Sequence, residues 1–510
     1  VLTNRIRILV KTGRADPKKI LAITFTRKAR KEMMRRLARC DYLRYVRVET
    51  FHSFCEKILK RYADRIYDRP MRVITYGDKM RIMQHAMQEI GISMEAAVNR
   101  YFVASQKRGK TPEQLMHIFM NDCFFVRDHR RAHGLEELPK SGDLVIKVCD
   151  VIDRYMLTNG LRDFSDQLLD AAEFLEENPD CIPGFDHVLV DEYQDVNAIQ
   201  VHLLDLLAPN SLFCVGDPRQ SIYGWRGSDV RFIMDFAKKF PESETVYLKR
   251  NYRSSKRIVR LVNEAIRRMG MPDLEAEHDT QALMTLKRCG TQDQEHHHIS
   301  ALIQGVQIPL HEIFVLARTN RQLNELSGHL HAQGVPHVVR SDDIHGTYED
   351  ASGKVMLATV HAIKGMEAEM VIVMGCNNFP CHATEHPVID MLKVDYDKTE
   401  EERRLLYVAM SRAKRMLHLT YTGKLSYFLT SDMRQMLGHQ TPLREQLREW
   451  RSQKACGRPE YLVLSNDAIE HIARRKPSDM DELLETHGIG PAKVEMYGEE
   501  ILDMVRRSQR

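Results

Sequence analysis

Seven short, unbroken runs of apolar and β-branched residues constrain this chain more than anything else in it. They are 20–25, 187–190, 212–215, 313–316, 355–358, 370–373 and 417–420, with helical stretches between them. Continuous runs of this length suit strands buried on both faces of a parallel sheet. Strands alternating with helices give an α/β fold. The runs fall into two groups, before and after about residue 245, so two α/β units are expected. Between 62 and 185 the chain is charged, Met-rich and helical in period, which reads as an insertion into the first unit. After about 440 the strand signals stop. Leu443 to Arg510 reads as a small all-helical module, with Gly488-Ile489-Gly490-Pro491 as its clearest turn. The 510 residues are enough for three or four domains.

Composition narrows the functional classes. Hydrophobic residues at 43% and charged residues at 29% exclude a disordered or fibrous chain. No apolar run approaches the ~20 residues that span a bilayer, so no membrane partner is expected. A net charge of +4 leaves the question of nucleic acid to local clusters. Ten scattered Cys form no CxxC pair, which argues against a zinc site or disulfide scaffold and for a cytoplasmic location. His296-His297-His298 reads as a tract in a polar loop.

Five segments carry chemistry. In Val188-Leu189-Val190-Asp191-Glu192 a strand ends in two carboxylates. Ligands bind at that carboxyl edge in open α/β sheets. One carboxylate can hold Mg²⁺ on nucleotide phosphates and the next can orient or deprotonate water. About 25 residues on, Gly216-Asp217-Pro218-Arg219-Gln220 ends a second strand and leads to Tyr223, Trp225 and Arg226. Interleaved aromatics and cations suit stacking on single-stranded bases. The others are Tyr247 to Ser254, Ala358 to Glu367, and Glu401 to Lys414. The last reads as a helix buried through 405, 406, 409 and 410. Arg412 lies near that side and needs an anionic partner, either an ion pair within the domain or a phosphate.

Together these segments resemble the UvrD/Rep-like superfamily 1 DNA helicases over roughly residues 1 to 425. Ile23 to Ala29 with Glu32-Met33 is similar to motif Ia, and Thr50-Phe51-His52 to motif Ib. Asp163-Phe164 with Leu168-Leu169 resembles the segment ahead of motif II. The five segments above match motifs II to VI in order. The resemblance implies two RecA-like parallel-sheet motor domains. The expected boundaries are motor domain 1A at 1–62 and 186–245, helical insertion 1B at 63–185, and motor domain 2A at 246–435. It implies ATP and Mg²⁺ as cofactors. Asp191 would hold the metal, Glu192 would activate water, and Gln220 would sense the γ-phosphate. Arg253 and Arg412 would act as arginine fingers, Tyr252 would stack on adenine, and Glu367 would contact the ribose. Thr26, Phe51, His52, Tyr223, Trp225, Arg226, Thr359 and His361 would line the DNA track. The partners implied are single-stranded DNA, duplex/single-strand junctions, and repair or replication proteins. The activity implied is 3′–5′ translocation in DNA repair or replication restart. The segment 442–510 resembles an HRDC domain through Tyr461 to Asp467, Lys476-Pro477 and His487 to Lys493. Its Gly-rich turn could meet a phosphate or serve only to pack the bundle.

Two departures stand out. No GxxxxGK[ST] phosphate loop occurs anywhere; Gly109-Lys110-Thr111 lacks the upstream Gly and a preceding strand. The chain opens at Val1 in a helix already under way, with apolar residues at 2, 6 and 9 and no cap. That fits a fragment whose phosphate loop belongs just ahead of it. The family's 2B subdomain is also effectively missing. Only Ser341 to Gly353 separate Val335–Arg340, the strand expected before it, from motif V. The alternative reading is a non-hydrolysing single-strand DNA-binding or regulatory protein that keeps the motor fold. A helicase–nuclease motor is disfavoured, because no acidic cluster follows motif VI.

Overall fold

The computed structural model describes residues 1–108, 110–133, 143–340, 352–381, 387–392, 397–438, 443–455 and 459–509. Gly109 and nearly all of the Ser341–Gly353 segment lie outside the described residues. The chain divides into two compact units. The first comprises Val1–Tyr247 and Pro380–Leu405, the second Leu248–Phe379 and Leu406–Arg510.

The first unit is built on β1 (Ile20–Thr24), β2 (Arg47–Thr50), β5 (His187–Val190) and β6 (Ser211–Cys214). They form one parallel sheet in the order β2-β1-β5-β6. Successive side chains on a strand point to opposite faces, and both faces are covered here. Leu21, Ile23, Val188 and Val190 pack on α3 (Phe51–Arg61) and on the helices Phe164–Glu177 and Ala198–Leu207. Ile20, Ala22 and Leu189 pack on α1 (Leu2–Lys11) and α2 (Arg27–Leu37). Leu2, Ile6 and Leu9 are the buried stripe of α1, each worth about 1.5–3 kcal/mol of burial. Side-chain oxygens cap four of these helices: Thr26 accepts from Ala29 N–H, Thr50 from Ser53 N–H, Asp163 from Phe164 N–H and Asn197 from Gln200 N–H.

The helical insertion has its own core, from Ile74 to Leu161, fed by the helices Tyr76–Ile90, Met94–Tyr101, Pro112–His133 and Asp143–Thr158. The strands β3 (Arg72–Val73) and β4 (Leu161–Arg162) pair where the chain enters and leaves it. The structure corrects the expected boundaries twice. The helix Phe164–Glu177, read as insertion, gives Leu168, Ala171, Ala172 and Leu175 to the sheet core. Val388 and Ile389, read as motor domain 2A, complete the core of the insertion. Arg127 joins insertion to sheet core from within, pairing with Asp153 at 2.6 Å and Asp166 at 3.1 Å.

In the second unit, β7 (Arg250–Ser255) and β8 (Glu275–His278) form a separate parallel pair. The main sheet holds β9 (Leu283–Cys289), β10 (Ile313–Ala317), β11 (His337–Arg340), β12 (Val355–Thr359), β13 (Ala368–Val373) and β14 (Ala413–Thr422). All are parallel, in the order β11-β12-β10-β13-β14-β9. Ile313, Val315, Leu357 and Ile372 pack on the helices Gln292–Gly305 and Asn320–Ala332. The histidine tract belongs to the first of these helices, not to a loop. The rings of His296 and His297 lie 5.7 and 4.5 Å from that of His329. Among the described residues, no group of three or more His, Cys, Asp or Glu is arranged to hold a metal ion. None of the described helices is long and apolar enough to cross a membrane.

The C-terminal helices Leu443–Ala455, Asn466–Arg475, Met480–Leu484 and Pro491–Gln509 bury Leu447, Ile469, Ile472, Leu483 and Ile501 together. Ile489 of the Gly-rich turn is part of this core. A Cβ on Gly488, at φ +86°, would stand 3.2 Å from Ser465 Oγ, so the turn packs the bundle.

Candidate functional site

In the first unit the loops after β2, β1, β5 and β6 share the carboxyl edge of one sheet. They carry His52, Thr26, Asp191–Glu192 and Gly216–Gln220. Asp191 follows β5 directly, its N–H donating to Ile23 O at 2.9 Å. Burial, and then the neighbouring Glu192 charge, push the Asp191 carboxyl up to about 6. Glu192 has φ +52°, a left-handed conformation costing a non-glycine residue about 1–3 kcal/mol unless its surroundings hold it.

What holds it is Gln194, 0% exposed, which the sequence reading passed over. Gln194 Nε2 donates to Glu192 Oε2 at 2.5 Å, and its Oε1 accepts from the Asp217 N–H at 2.9 Å. Asp217 Oδ2 in turn accepts from Gln220 Nε2 at 2.9 Å. One hydrogen-bonded line therefore connects the water-activating candidate at β5 to the phosphate-sensing candidate beyond β6. It requires Gly216, since a Cβ there would come 2.5 Å from Gln194 Oε1.

The aromatic segment after Gln220 is anchored in the same unit. Arg404 Nε donates to Ser221 O at 2.6 Å, and Gly224 N–H donates to Glu401 Oε2 at 2.8 Å. Trp225 is 37% exposed, with the Arg226 guanidinium 4.4 Å from its ring centroid. Tyr223 is half-buried, 5.8 Å from the same cation. At the β2 end, the His52 ring meets Phe164 edge-on at 5.6 Å. Phe164 is 48% exposed, an open aromatic that sequence reasoning left without a role; its position directly after the cap residue Asp163 was the available signal. Phe51 is a correction. It is 3% exposed and sits in the sheet core with Phe54, Cys55 and Ile58, so its ring is not open to a ligand.

In the second unit, Arg250, Asn251, Tyr252, Arg253 and Glu367 line a cavity of about 350 Å³. Tyr252 is 64% exposed, its ring free to meet a flat ligand. Arg253 Nε donates to Glu367 Oε2 at 2.6 Å, and its Nη1 to Ser411 O at 3.2 Å. The hydrogen bond from Arg253, and then its charge, hold the Glu367 carboxyl below its ordinary range. Sequence-predicted Tyr252, Arg253 and Glu367 are thus together. Arg412 differs from expectation: it is 1% exposed and donates to Val408 O, Met366 O and Ser411 Oγ at 2.9–3.3 Å. Its partners include carbonyls and a hydroxyl of its own unit. Thr359 and His361 are also buried, and Thr359 Oγ1 accepts from Ala362 N–H at 3.3 Å.

Comparison with known proteins matches three family models along the chain. The UvrD/REP helicase N-terminal domain matches residues 1–241, and the UvrD-like helicase C-terminal domain matches 246–345 and 341–424. The HRDC domain matches 440–505. The chain is 33% identical over 276 residues to the ATP-dependent DNA helicase PcrA of Staphylococcus aureus strain Mu50, a match covering 52% of this chain. The protein of the same description from Staphylococcus epidermidis is 33% identical over 280 residues. The chain spans 36% of the length of these curated relatives. Among solved structures, the C-terminal domain of a possible DNA helicase from Lactobacillus plantarum WCFS1 aligns with 36% of this chain and 96% of its own. Its TM-score of 0.26 and 19% identity are too low to bear on the fold. Two helicase domains in sequence order, each on its own parallel sheet and followed by a small helical bundle, assign the chain: it belongs to the UvrD/REP helicase family and carries an HRDC domain.

Proposed function

We propose that the chain is the motor part of an ATP-driven DNA helicase or translocase that moves 3′ to 5′ on single-stranded DNA in repair or replication restart. The observation that carries this reading is the line Glu192–Gln194–Asp217–Gln220, which fixes a carboxylate beside Asp191 at the carboxyl edge of the first sheet. Asp191 fits a Mg²⁺ ion. It is a crowded carboxyl, raised by burial and by Glu192, which a divalent cation would relieve. Bound there with nucleotide phosphates, the ion would neutralise charge on the transferred phosphoryl group.

The chain's own groups account for the remaining roles. Glu192 takes a proton from water as the water oxygen bonds to the γ-phosphorus and the bond to the bridging oxygen breaks. Gln220, tied to Asp217, reports the γ-phosphate to the Trp225 segment a few residues on. Tyr252 stacks on the base, and Glu367 holds the sugar. Arg253 supplies positive charge; Arg412 does so only after leaving its carbonyl partners. Trp225, Tyr223, His52 and Phe164 offer ring faces or edges to single-stranded bases, and Thr26 and Arg226 offer polar groups to the backbone.

The test is ATP hydrolysis with and without single-stranded DNA, using the chain with a phosphate-binding loop joined ahead of Val1. Hydrolysis stimulated by DNA supports the motor. Single-strand binding with no hydrolysis supports the binding-protein reading instead.

A further inference from the structure

The charge of this chain is unevenly spread. Residues 1–47 hold fifteen Lys and Arg against three Asp and Glu, a net of +12, whereas the whole chain is only +4. The topology gathers many of these cations at the edge of the first sheet opposite the site described above. β1 and β2 are parallel, with Leu21 beside Arg47, so Lys18 and Lys19 before β1 lie next to Arg44 and Arg47 at the start of β2. α1 and α2 both run back to this amino edge, delivering Lys11 and Arg14 from one and Arg39 from the other. All seven side chains are exposed.

The surface is mostly charge, with two exposed tyrosine rings, Tyr42 and Tyr45. Tyr45, exposed at the same edge, has Lys18 Nζ 5.5 Å and the Arg44 guanidinium 4.9 Å from its ring centroid, so its faces are already taken by cations. On α1 and α2 the exposed large apolar side chains are Ile8 and Met34, too few to insert into a lipid surface. A cluster of cations with phenolic hydroxyls among them suits regularly spaced phosphates.

We propose that this amino edge is a second nucleic-acid site, which binds the phosphate backbone of duplex DNA without sequence preference. It is separate from the single-strand track at the carboxyl edge, and it needs neither ATP nor the hydrolytic residues.

The test is fluorescence anisotropy on the full chain with a blunt DNA duplex, a single-stranded oligothymidine, and phosphatidylserine vesicles. The variant is Lys18→Gln, Arg39→Gln, Arg44→Gln, three exposed positions outside the sheet core. The expected result is a loss of duplex affinity of about tenfold or more. The slope of log K against log salt should fall by about one per cation removed, and single-strand affinity should stay within about twofold. Trp225→Ala should do the reverse, weakening single-strand binding and sparing the duplex. Unchanged duplex affinity in the triple variant, parallel loss of both DNA forms, or binding to vesicles with none to duplex would each overturn the proposal.

Discussion

Replacing Gly216 with Ala tests the hydrogen-bonded line at the candidate hydrolytic site. The new Cβ would stand 2.5 Å from Gln194 Oε1, 2.8 Å from Ile233 Cδ1 and 3.1 Å from the Gln194 backbone nitrogen. Gln194 is fully buried. If the amide gives way, its bond to the Glu192 carboxylate is lost, worth about 1.5–3 kcal/mol. The Asp217 N–H then loses a partner, at about 1–3 kcal/mol. If it does not, overpacking costs about 1–3 kcal/mol. The first route costs about 2.5–6 kcal/mol and releases Glu192 from its contact with Gln194, and the second costs about 1–3 kcal/mol, so the first unit loses at least about 1 kcal/mol either way. Only Trp225 and Trp450 are present, so a Trp450→Phe background leaves Trp225 reporting denaturant unfolding of this unit alone. Gly216→Ala should lower its midpoint, and should cost clearly less once Gln194→Ala has removed the opposing oxygen. A midpoint shift worth under about 0.5 kcal/mol, or full additivity of the two changes, would refute the reasoning.

Trp225→Ala should weaken single-strand DNA binding by about 1–3 kcal/mol in a titration, since one stacking face is removed; unchanged affinity would take Trp225 off the track. Arg127→Ala should destabilise the first unit by about 3–5 kcal/mol in denaturant unfolding, because buried Asp166 loses one of its two cations. The sheet of the second unit should weaken in acid. Burial, and then His298, depress the His418 imidazole to about 4. Its contribution is therefore complete above the ordinary value near 6.5 and lost as pH falls toward 4, for about 3 kcal/mol in all. Urea unfolding at pH 7 and pH 4.5 should show that loss in the parent. His418→Gln, which can still bond Thr285, should show much less of it.

The strands legible in the sequence are those whose apolar run nothing polar interrupts, whether fully buried as β1 and β10 are or half-buried as β6 is. β2 was hidden by Glu49, a buried carboxylate whose partners, Arg30 and Lys57, come from neighbouring helices and leave no mark in the strand itself. Asp191 was legible as a candidate because it stands where the apolar run Val188–Val190 ends, whereas Gln220, Tyr252 and Glu367 came through the motif order of the resemblance. Phe51 was misread through its neighbour His52. Its spacing to Phe54, Cys55 and Ile58 is the i, i+3, i+4, i+7 stripe of a buried helix face. Gln194 could not be found from sequence, since its role depends on the approach of Gly216 from another strand. The same holds for Val388 and Ile389, whose contacts with the insertion join positions more than two hundred residues apart.

The central claim is that the carboxyl edge of the first sheet hydrolyses ATP through Glu192. The most direct measurement takes the chain with a phosphate-binding loop joined ahead of Val1 and compares it with its Glu192→Gln variant for ATP binding and for single-turnover hydrolysis on single-stranded DNA. Glutamine keeps the shape and the contact with Gln194 but cannot accept the proton. The variant should therefore bind ATP as the parent does and lose hydrolysis by about 10²–10⁴-fold. Hydrolysis at the parent's rate in the Glu192→Gln chain would contradict the account.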